Sequence, residues 1–324
     1  MYVDGLFEKV LMEPFRQGAD SLKIISGYAS SAMAFKHLDQ LSDIRGDFSV
    51  SLLVGMSPYD GITVVNHNGF NSIVKGEYKE RFDCSYVYRQ PPVHSKIYTW
   101  YRKGEEFKTF IGSANYTQNA FGSQREAVAD IGVSGMNSYW CELIHDSIPC
   151  TDTRVSDLIV IYQQRFKVRK PKPEAIAAEA RAEQLFPNLA TMARAEVSLL
   201  SRTGEIQSRG GLNWGQREGR EPNQAYIQLS PEIYRSDFFP LRSIFFTVIT
   251  DDQQTFICTR AQKSEEGQVI ETPHDNSILG RYFRKRLGLP DGAYVETADL
   301  VRYGRSEVTF YKIDDENFYM DFSV

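Results

Sequence analysis

A histidine and a lysine two residues apart, His94 and Lys96, sit in an alternating run, Lys96-Ile97-Tyr98-Thr99-Trp100-Tyr101, that reads as a β-strand. On such a strand, residues i and i+2 share a face, so the imidazole and the ammonium project side by side. A turn and a second strand-like run return the chain to Gly112-Ser113-Ala114-Asn115, and Glu126 follows. A nucleophile or acid, a fixed cation, a small hydroxyl and an amide suit a phosphate.

Phosphodiester cleavage needs charge stabilisation on the phosphoryl oxygens, a nucleophile, and a proton for the leaving oxygen. Metal enzymes recruit clustered carboxylates for this. Between His94 and Glu126 the other carboxylates are Glu105 and Glu106, a turn pair expected to face solvent. The chemistry therefore falls to side chains, with no metal and no cofactor expected. His94 does covalent or acid–base work, and Lys96 is a point charge on phosphate. Ser113 and Asn115 donate further hydrogen bonds. Glu126 is expected to orient the imidazole and hold its tautomer. The plainer reading of Gly-Ser-x-Asn is a turn, since these are turn residues.

The elements that must position this set alternate between strand and helix patterns. A helix is expected over residues 4–16, a strand over 21–28, a helix over 30–41, a strand over 48–55, a helix over 63–79 and a strand over 84–88. A further strand is expected at 127–133, with helices at 138–147 and 154–166. Such alternation predicts an α/β domain. Tyr28 ends the first strand where ligands often sit in α/β folds, although structural use is its plainer role. Residues 167–188 open as a charged, proline-broken run and continue rich in Ala, Glu and Arg, which reads as a linker.

From about Ala190 the texture changes to short alternating runs separated by Gly, Pro, Asn and Asp, the pattern of a small β-barrel or sandwich. A helix is expected over residues 276–287, with Arg281, Arg284, Lys285 and Arg286 on its solvent side and C-terminal end. From Thr191 onward there are 13 Arg and 3 Lys. Arginine carries the planar fork that reads guanine bidentately.

The bulk numbers bound the rest. The 324 residues suffice for one large or two ordinary domains, with 42% apolar and 24% charged residues. A net charge of −5 gives no overall push toward nucleic acid, so binding would rest on local clusters. No apolar run would span a bilayer, and the N-terminal residues lack a signal-peptide pattern. Cys84, Cys141, Cys150 and Cys258 have no metal-ligand spacing and read as reduced, buried thiols of a cytoplasmic protein.

His94, Lys96, Gly112, Ser113 and Asn115 together resemble the H-x-K…G-S-x-N signature of the phospholipase D superfamily. Where the lipase branch carries Asp after the Lys, this chain has Tyr101. That departure argues against phospholipid hydrolysis, and the Asn-then-Glu ending resembles the metal-independent restriction endonucleases of the superfamily. The superfamily's site uses two H-x-K motifs. This chain has one, since His37, His67, His145 and His274 lack the pattern. The resemblance therefore implies a homodimer, with one His94 forming a phosphohistidine and the other serving as acid and base.

In the second half, residues 211–229, the run around 246–256, residues 272–289 and residues 299–311 resemble the C-terminal domain of NgoFVII-class restriction endonucleases. The resemblance implies an α/β phospholipase-D-like domain over residues 1–170 (a mixed sheet flanked by helices), a linker over 171–190, and a mainly β, B3-like pseudobarrel over 191–324. It implies cleavage of double-stranded DNA at or near a short GC-rich site. It allows a cognate methyltransferase and an accessory ATPase as partners, with no membrane. Two arms would enter the major groove. The first offers Arg202, Asn213, Trp214, Gln216, Arg217 and Arg220, and the second Arg260, Gln262 and Lys263. Trp214 could equally stack in the barrel or brace the arm. The competing readings are a nonspecific nuclease or phospholipid hydrolase of the same superfamily, and a DNA-binding regulator with a degenerate nuclease domain.

Overall fold

The computed structural model describes residues 1–162, 189–201, 203–242, 244–261, 267–273 and 275–324. The chain divides into two compact units, Met1–Tyr162 and Gln163–Val324. The expected linker falls almost wholly outside the described residues.

The first unit contains β1 (Ser21–Ser26), β2 (Ser49–Val54), β3 (Ile62–Thr63), β4 (Phe82–Val87), β5 (Ile97–Arg102), β6 (Glu105–Gly112), β7 (Val128–Gly132), β8 (Ser147–Pro149) and β9 (Ile161–Tyr162). Seven of these form one mixed sheet in the order β7-β6-β5-β1-β2-β4-β8. The β1–β2 and β2–β4 pairs are parallel. The β1–β5, β5–β6, β6–β7 and β4–β8 pairs are antiparallel. The central strands carry nearly continuous apolar residues, and Leu22, Ile24, Ile25, Leu52 and Leu53 are all buried. A sheet covered on both faces requires that pattern.

Local capping fixes the flanking helices. Ser31–Ile44 starts where the Ser30 hydroxyl accepts from the Met33 N–H at 3.3 Å. Val64–Lys75 starts where the Thr63 hydroxyl accepts from the Asn66 N–H at 3.3 Å. Each such cap satisfies one backbone donor that the helix leaves free. The N-terminal helix runs as a π-helical stretch, Phe7–Met12, before turning α at Glu13–Arg16, and buries Val10, Leu11, Met12 and Phe15.

Several expectations need correction. Over residues 154–162 the chain is helical only at Val155–Leu158 and then joins β3 through β9. The remainder of that expected helix lies outside the described residues. Short helices at Ser57–Asp60 and Gln118–Gly122 occupy stretches with too few residues to show a period. Glu106 is not a solvent-facing turn residue. It accepts from the Ser134 hydroxyl at 2.7 Å, the Ser134 N–H at 2.6 Å and the Gly135 N–H at 3.0 Å. Its partial burial opposes ionisation, but these bonds outweigh that and hold its pKa below the ordinary range. Cys84, Cys150 and Cys258 are buried, whereas Cys141 is exposed.

The second unit contains β10 (Arg194–Ser198), β11 (Ile227–Gln228), β12 (Phe245–Thr250), β13 (Thr255–Ala261), β14 (Val269–Glu271), β15 (Glu307–Lys312) and β16 (Asn317–Asp321). Their order is β10-β15-β16-β12-β13-β14-β11, antiparallel except for β12–β16. The two end strands approach each other, so the sheet nearly closes into a barrel. Inside it, Phe239 lies 5.0 Å from Phe318 and 5.1 Å from Phe310 between ring centres.

The basic helix Ser277–Arg286 also departs from expectation. Arg284 is fully buried and donates to the carbonyls of Ala293, Leu212 and Pro222. Arg286 donates to both oxygens of Asp251, at 2.7 and 2.8 Å, and to the Phe322 carbonyl. These guanidiniums stitch loops to the barrel, because unpaired carbonyls inside need strong donors.

Candidate active site

The site lies where β1 and β2, neighbouring parallel strands, reach their carboxyl ends. Such ends are where α/β sheets place ligands. The Gly55 N–H donates to the Ser26 carbonyl at 2.8 Å, and the Met56 N–H to the Gly27 carbonyl at 3.0 Å. The Val93 N–H donates to the Gly55 carbonyl at 2.9 Å, tying the chain that carries His94 to the end of β2. As a result β5 begins at Ile97, and His94 and Lys96 sit in an extended lead-in, not in the strand itself.

The same-face geometry nevertheless holds. Lys96 Nζ lies 3.0 Å from His94 Nε2 and donates to the His94 carbonyl at 2.7 Å. His94 is exposed, whereas Lys96 is only 7% exposed. Burial lowers the Lys96 pKa below the ordinary lysine value, and the Glu126 charge pulls the other way.

The end of β6 brings in the second half of the set. The Gly112 N–H donates to the Lys96 carbonyl at 3.2 Å, and the Ser113 N–H to the Ala127 carbonyl at 3.0 Å. A Cβ at Gly112 would lie 2.1 Å from the Ala127 oxygen, so only glycine allows this approach. The Tyr98 hydroxyl donates to the Ala114 carbonyl at 2.8 Å, pinning the loop from beneath. The Asn115 Oδ1 accepts from the Tyr28 N–H at 3.2 Å, which leaves the amide nitrogen to donate elsewhere.

Glu126 takes a different partner from the one expected. The Ser113 hydroxyl donates to its carboxylate, and the Ala127 N–H donates to the Ser113 oxygen at 3.1 Å. Glu126 therefore orients Ser113. Tyr101 is a core residue, 7% exposed, with Lys23 Nζ 4.9 Å from its ring centre.

Two neighbours stand out once the structure is seen. Tyr28 lies edge-on to His94, 6.1 Å between ring centres, and its hydroxyl donates to Asp60 at 2.5 Å. That hydrogen bond, with burial and the Asp60 charge, pushes the Tyr28 pKa up to about 12. Nothing in the sequence pattern marks Asp60. The Ser-Gly-Tyr ending of β1 was the available signal for Tyr28. Among the described residues, no group of three or more His, Cys, Asp and Glu side chains is placed to hold a metal ion. No described helix is long and apolar enough to cross a membrane.

The second unit sorts the expected DNA-contacting residues. Arg217 and Arg220 are exposed on the arm. Arg220 lies over the Trp214 ring at 4.1 Å, and Trp214 packs against Tyr226 at 5.5 Å. Trp214 thus braces the segment between Gly211 and Tyr226. Asn213 is fully buried and exchanges hydrogen bonds with Val295. Gln216 donates to the carbonyls of Pro222 and Gly292. Arg260 is buried and donates to the carbonyls of Gly267, Pro240 and Tyr234. Asn213 and Arg260 thus spend their polar groups inside the fold, and Gln216 its amide N–H groups on loop carbonyls, because these loops hold backbone carbonyls that need donors. Arg202, Gln262 and Lys263 lie outside the described residues. Between β10 and β11 a cleft of about 610 Å³ is lined by Glu196, Ser198, Gln207, Gln228 and Gln268 among others.

Comparison with known proteins matches this division. Residues 4–157 match the model of the NgoFVII restriction endonuclease N-terminal PLD domain. Residues 188–314 match that of the NgoFVII C-terminal B3-like DNA-binding domain. Among solved structures, NucT from Helicobacter pylori is similar over 43% of this chain and 87% of its own, at 17% identity and a TM-score of 0.30. Polyphosphate kinase from Porphyromonas gingivalis is similar over 51% of this chain at 12% identity and a TM-score of 0.30, and this chain spans 24% of that enzyme's length. Comparison with curated proteins gave no match. The protein is a phospholipase-D-type nuclease domain followed by a B3-like DNA-binding domain. It belongs to the NgoFVII restriction endonuclease family.

Proposed function

We propose that this chain is a type II, site-specific deoxyribonuclease that hydrolyses double-stranded DNA at or near a short GC-rich sequence without a divalent metal. The observation that carries the chemistry is the 3.0 Å approach of Lys96 Nζ to His94 Nε2 on an exposed imidazole. As substrate binds, the Lys96 ammonium turns from Nε2 to a phosphoryl oxygen; the freed Nε2 lone pair attacks phosphorus, the bond to the leaving oxygen breaks, and a phosphohistidine forms. Lys96 and Asn115 supply the positive charge and a donor for the phosphoryl oxygens, where such stabilisation has its largest effect, while the single O–H of Ser113 is spent on Glu126. Glu126 keeps the Ser113 hydroxyl in place.

A single H-x-K motif per chain supports a homodimer built through the first domain. The partner subunit's His94 protonates the leaving oxygen and then takes a proton from the water that cleaves the P–N bond. Tyr101, filled into the core where the lipase branch has Asp, supports nucleic acid over lipid. In the second domain Arg217 and Arg220 are the exposed arm residues offered for DNA contact. A cognate methyltransferase, an accessory ATPase and a cytoplasmic setting belong to the same reading.

The test is digestion of unmethylated DNA in EDTA with mapping of the ends. Discrete fragments with a common end sequence are expected, lost in His94→Ala while DNA binding persists. Random degradation overturns site specificity, and a requirement for magnesium overturns the mechanism.

A further inference from the structure

We propose that Tyr28, held by Asp60, is a positioning residue that fixes the His94 imidazole in its attacking orientation. The proposal rests on the phosphodiesterase reading of the His94 site. It is carried by contacts that converge on one turn, Gly27-Tyr28, at the end of β1.

His94 is exposed, and its described side-chain hydrogen bond is the one shared with Lys96. One such bond leaves an imidazole free to rotate about its Cβ–Cγ bond. A wall beside the ring is needed to limit that rotation. Gly27 and Tyr28 supply it from two directions. A Cβ at Gly27 would lie 3.0 Å from His94 Cδ2, so the backbone there is already at the ring's edge. The Tyr28 ring meets the imidazole edge-on, with planes at 81°.

The turn is itself held on three sides. The Ser26 hydroxyl donates to the Tyr28 carbonyl at 2.6 Å and accepts from the Tyr116 N–H at 2.9 Å. The Tyr28 N–H is spent on Asn115. The Tyr28 side chain is 41% exposed, and the bond its hydroxyl donates to Asp60 at 2.5 Å adds a further restraint to those on the turn. Asp60 ends the short helix that follows β2, and its N–H donates to the Met56 carbonyl at 2.9 Å. Both ends of the device thus grow from the paired strands that carry the site. The same residue that walls the nucleophile also orients the Asn115 amide.

The experiment uses the full-length chain in four forms: wild type, Tyr28→Ala, Tyr28→Phe and Asp60→Asn. With saturating DNA, Tyr28→Ala should lower kcat by about tenfold or more while KM changes little, because a misaligned reacting group costs rate and not binding. Tyr28→Phe restores the ring without the tether and should recover most of that loss. Asp60→Asn should lie with Phe, since it weakens the same bond. A Tyr28→Ala enzyme with wild-type kcat overturns the proposal, as does equal loss in Ala and Phe variants that fold like wild type. Should the wild-type chain leave DNA intact, the activity reading fails by itself. The His94 ring-carbon resonance, assigned by its loss in His94→Ala, then decides the positioning. It should move in Tyr28→Ala while that of buried His37 stays, and an unmoved signal overturns the proposal.

Discussion

The Ser113 hydroxyl donates to the Glu126 carboxylate, and among the described residues no hydrogen bond joins Glu126 to His94. Two tasks that could have shared one carboxylate are therefore separate. Glu126 sets the Ser113 hydroxyl and lends negative charge to Lys96. The imidazole is left to Lys96 and to the Gly27-Tyr28 turn.

Glu126→Gln tests this split. The amide oxygen still accepts from Ser113, so the loop should survive and DNA binding should be unchanged. The lost charge acts on Lys96, whose ammonium form Glu126 favours. Lys96 then gives up its proton at lower pH, and the alkaline limb of the pH–rate profile moves down. The kcat should fall by about tenfold to a hundredfold, the cost typical of losing a group that orients and tunes another. An unchanged alkaline limb would show that the carboxylate does not act on Lys96.

Lys96 itself separates activity from stability. Burial lowers its pKa below the lysine value of 10.5, so the folded chain releases a proton that the unfolded chain still holds. The unfolded state binds more protons in that window, and stability rises with pH between the folded value and 10.5. Lys96→Met removes the buried charge and should flatten this rise, leaving the protein as stable at pH 7 or more so. Cleavage should disappear. Lys96→Arg should not restore it, because a planar fork does not replace a point charge. Urea titrations at pH 7 and at pH values rising to 10.5 read the first effect, and cleavage assays the second.

How far the sequence revealed this site can be argued from its members. His94 and Lys96 were legible because any extended segment places i and i+2 on one face, whether or not it is paired as a strand. Glu126 was legible as a member but not in its role. Its neighbour is set by the β6–β7 register, which opposes Gly112 to Val128 and so brings residue 126 to Ser113. Asp60 was invisible, since its position depends on where a four-residue helix turns after β2. The core strands were legible because strand and helix patterns alternate over residues 21–88, although which of them pair in parallel was not. Arg284 and Arg286 were misread because helix periodicity cannot show that neighbouring loops bury carbonyls against that face. The internal partners of Asn213 and Arg260 were hidden for the same reason.

His37 gives a pH prediction away from the chemistry. It is fully buried, with Nδ1 2.9 Å from the Tyr116 hydroxyl, and burial depresses its pKa to about 3. The unfolded chain takes up this proton near pH 6.5 and the folded chain does not, so stability falls as pH drops from 6.5 toward 3. Between pH 6.5 and 4.5 the loss should be roughly 2–3 kcal/mol by linkage. His37→Gln should remove that dependence, whatever its own cost at neutral pH. Denaturant midpoints at the two pH values provide the measurement, and equal acid sensitivity in wild type and variant would refute it.

The two kinds of arm residue should respond oppositely. Arg220 is exposed, its guanidinium over Trp214 and one bond to Gln224. Arg220→Ala removes a cation that stability does not require, so melting should shift little. If the arm meets phosphate, DNA binding weakens and the slope of log affinity against log salt drops by about one charge. If it meets a guanine edge, discrimination at one base pair falls by about 1–3 kcal/mol and the salt slope changes less. Asn213 is buried and holds the Val295 backbone through both amide atoms. Asn213→Ala leaves buried groups unpaired and should cost about 1–3 kcal/mol of stability, with DNA affinity changing only as the arm loosens. Binding isotherms at several salt concentrations, run beside denaturation curves, distinguish the two. Loss of stability in Arg220→Ala with an unchanged salt slope would place that arginine among the internal staples, beside Arg284.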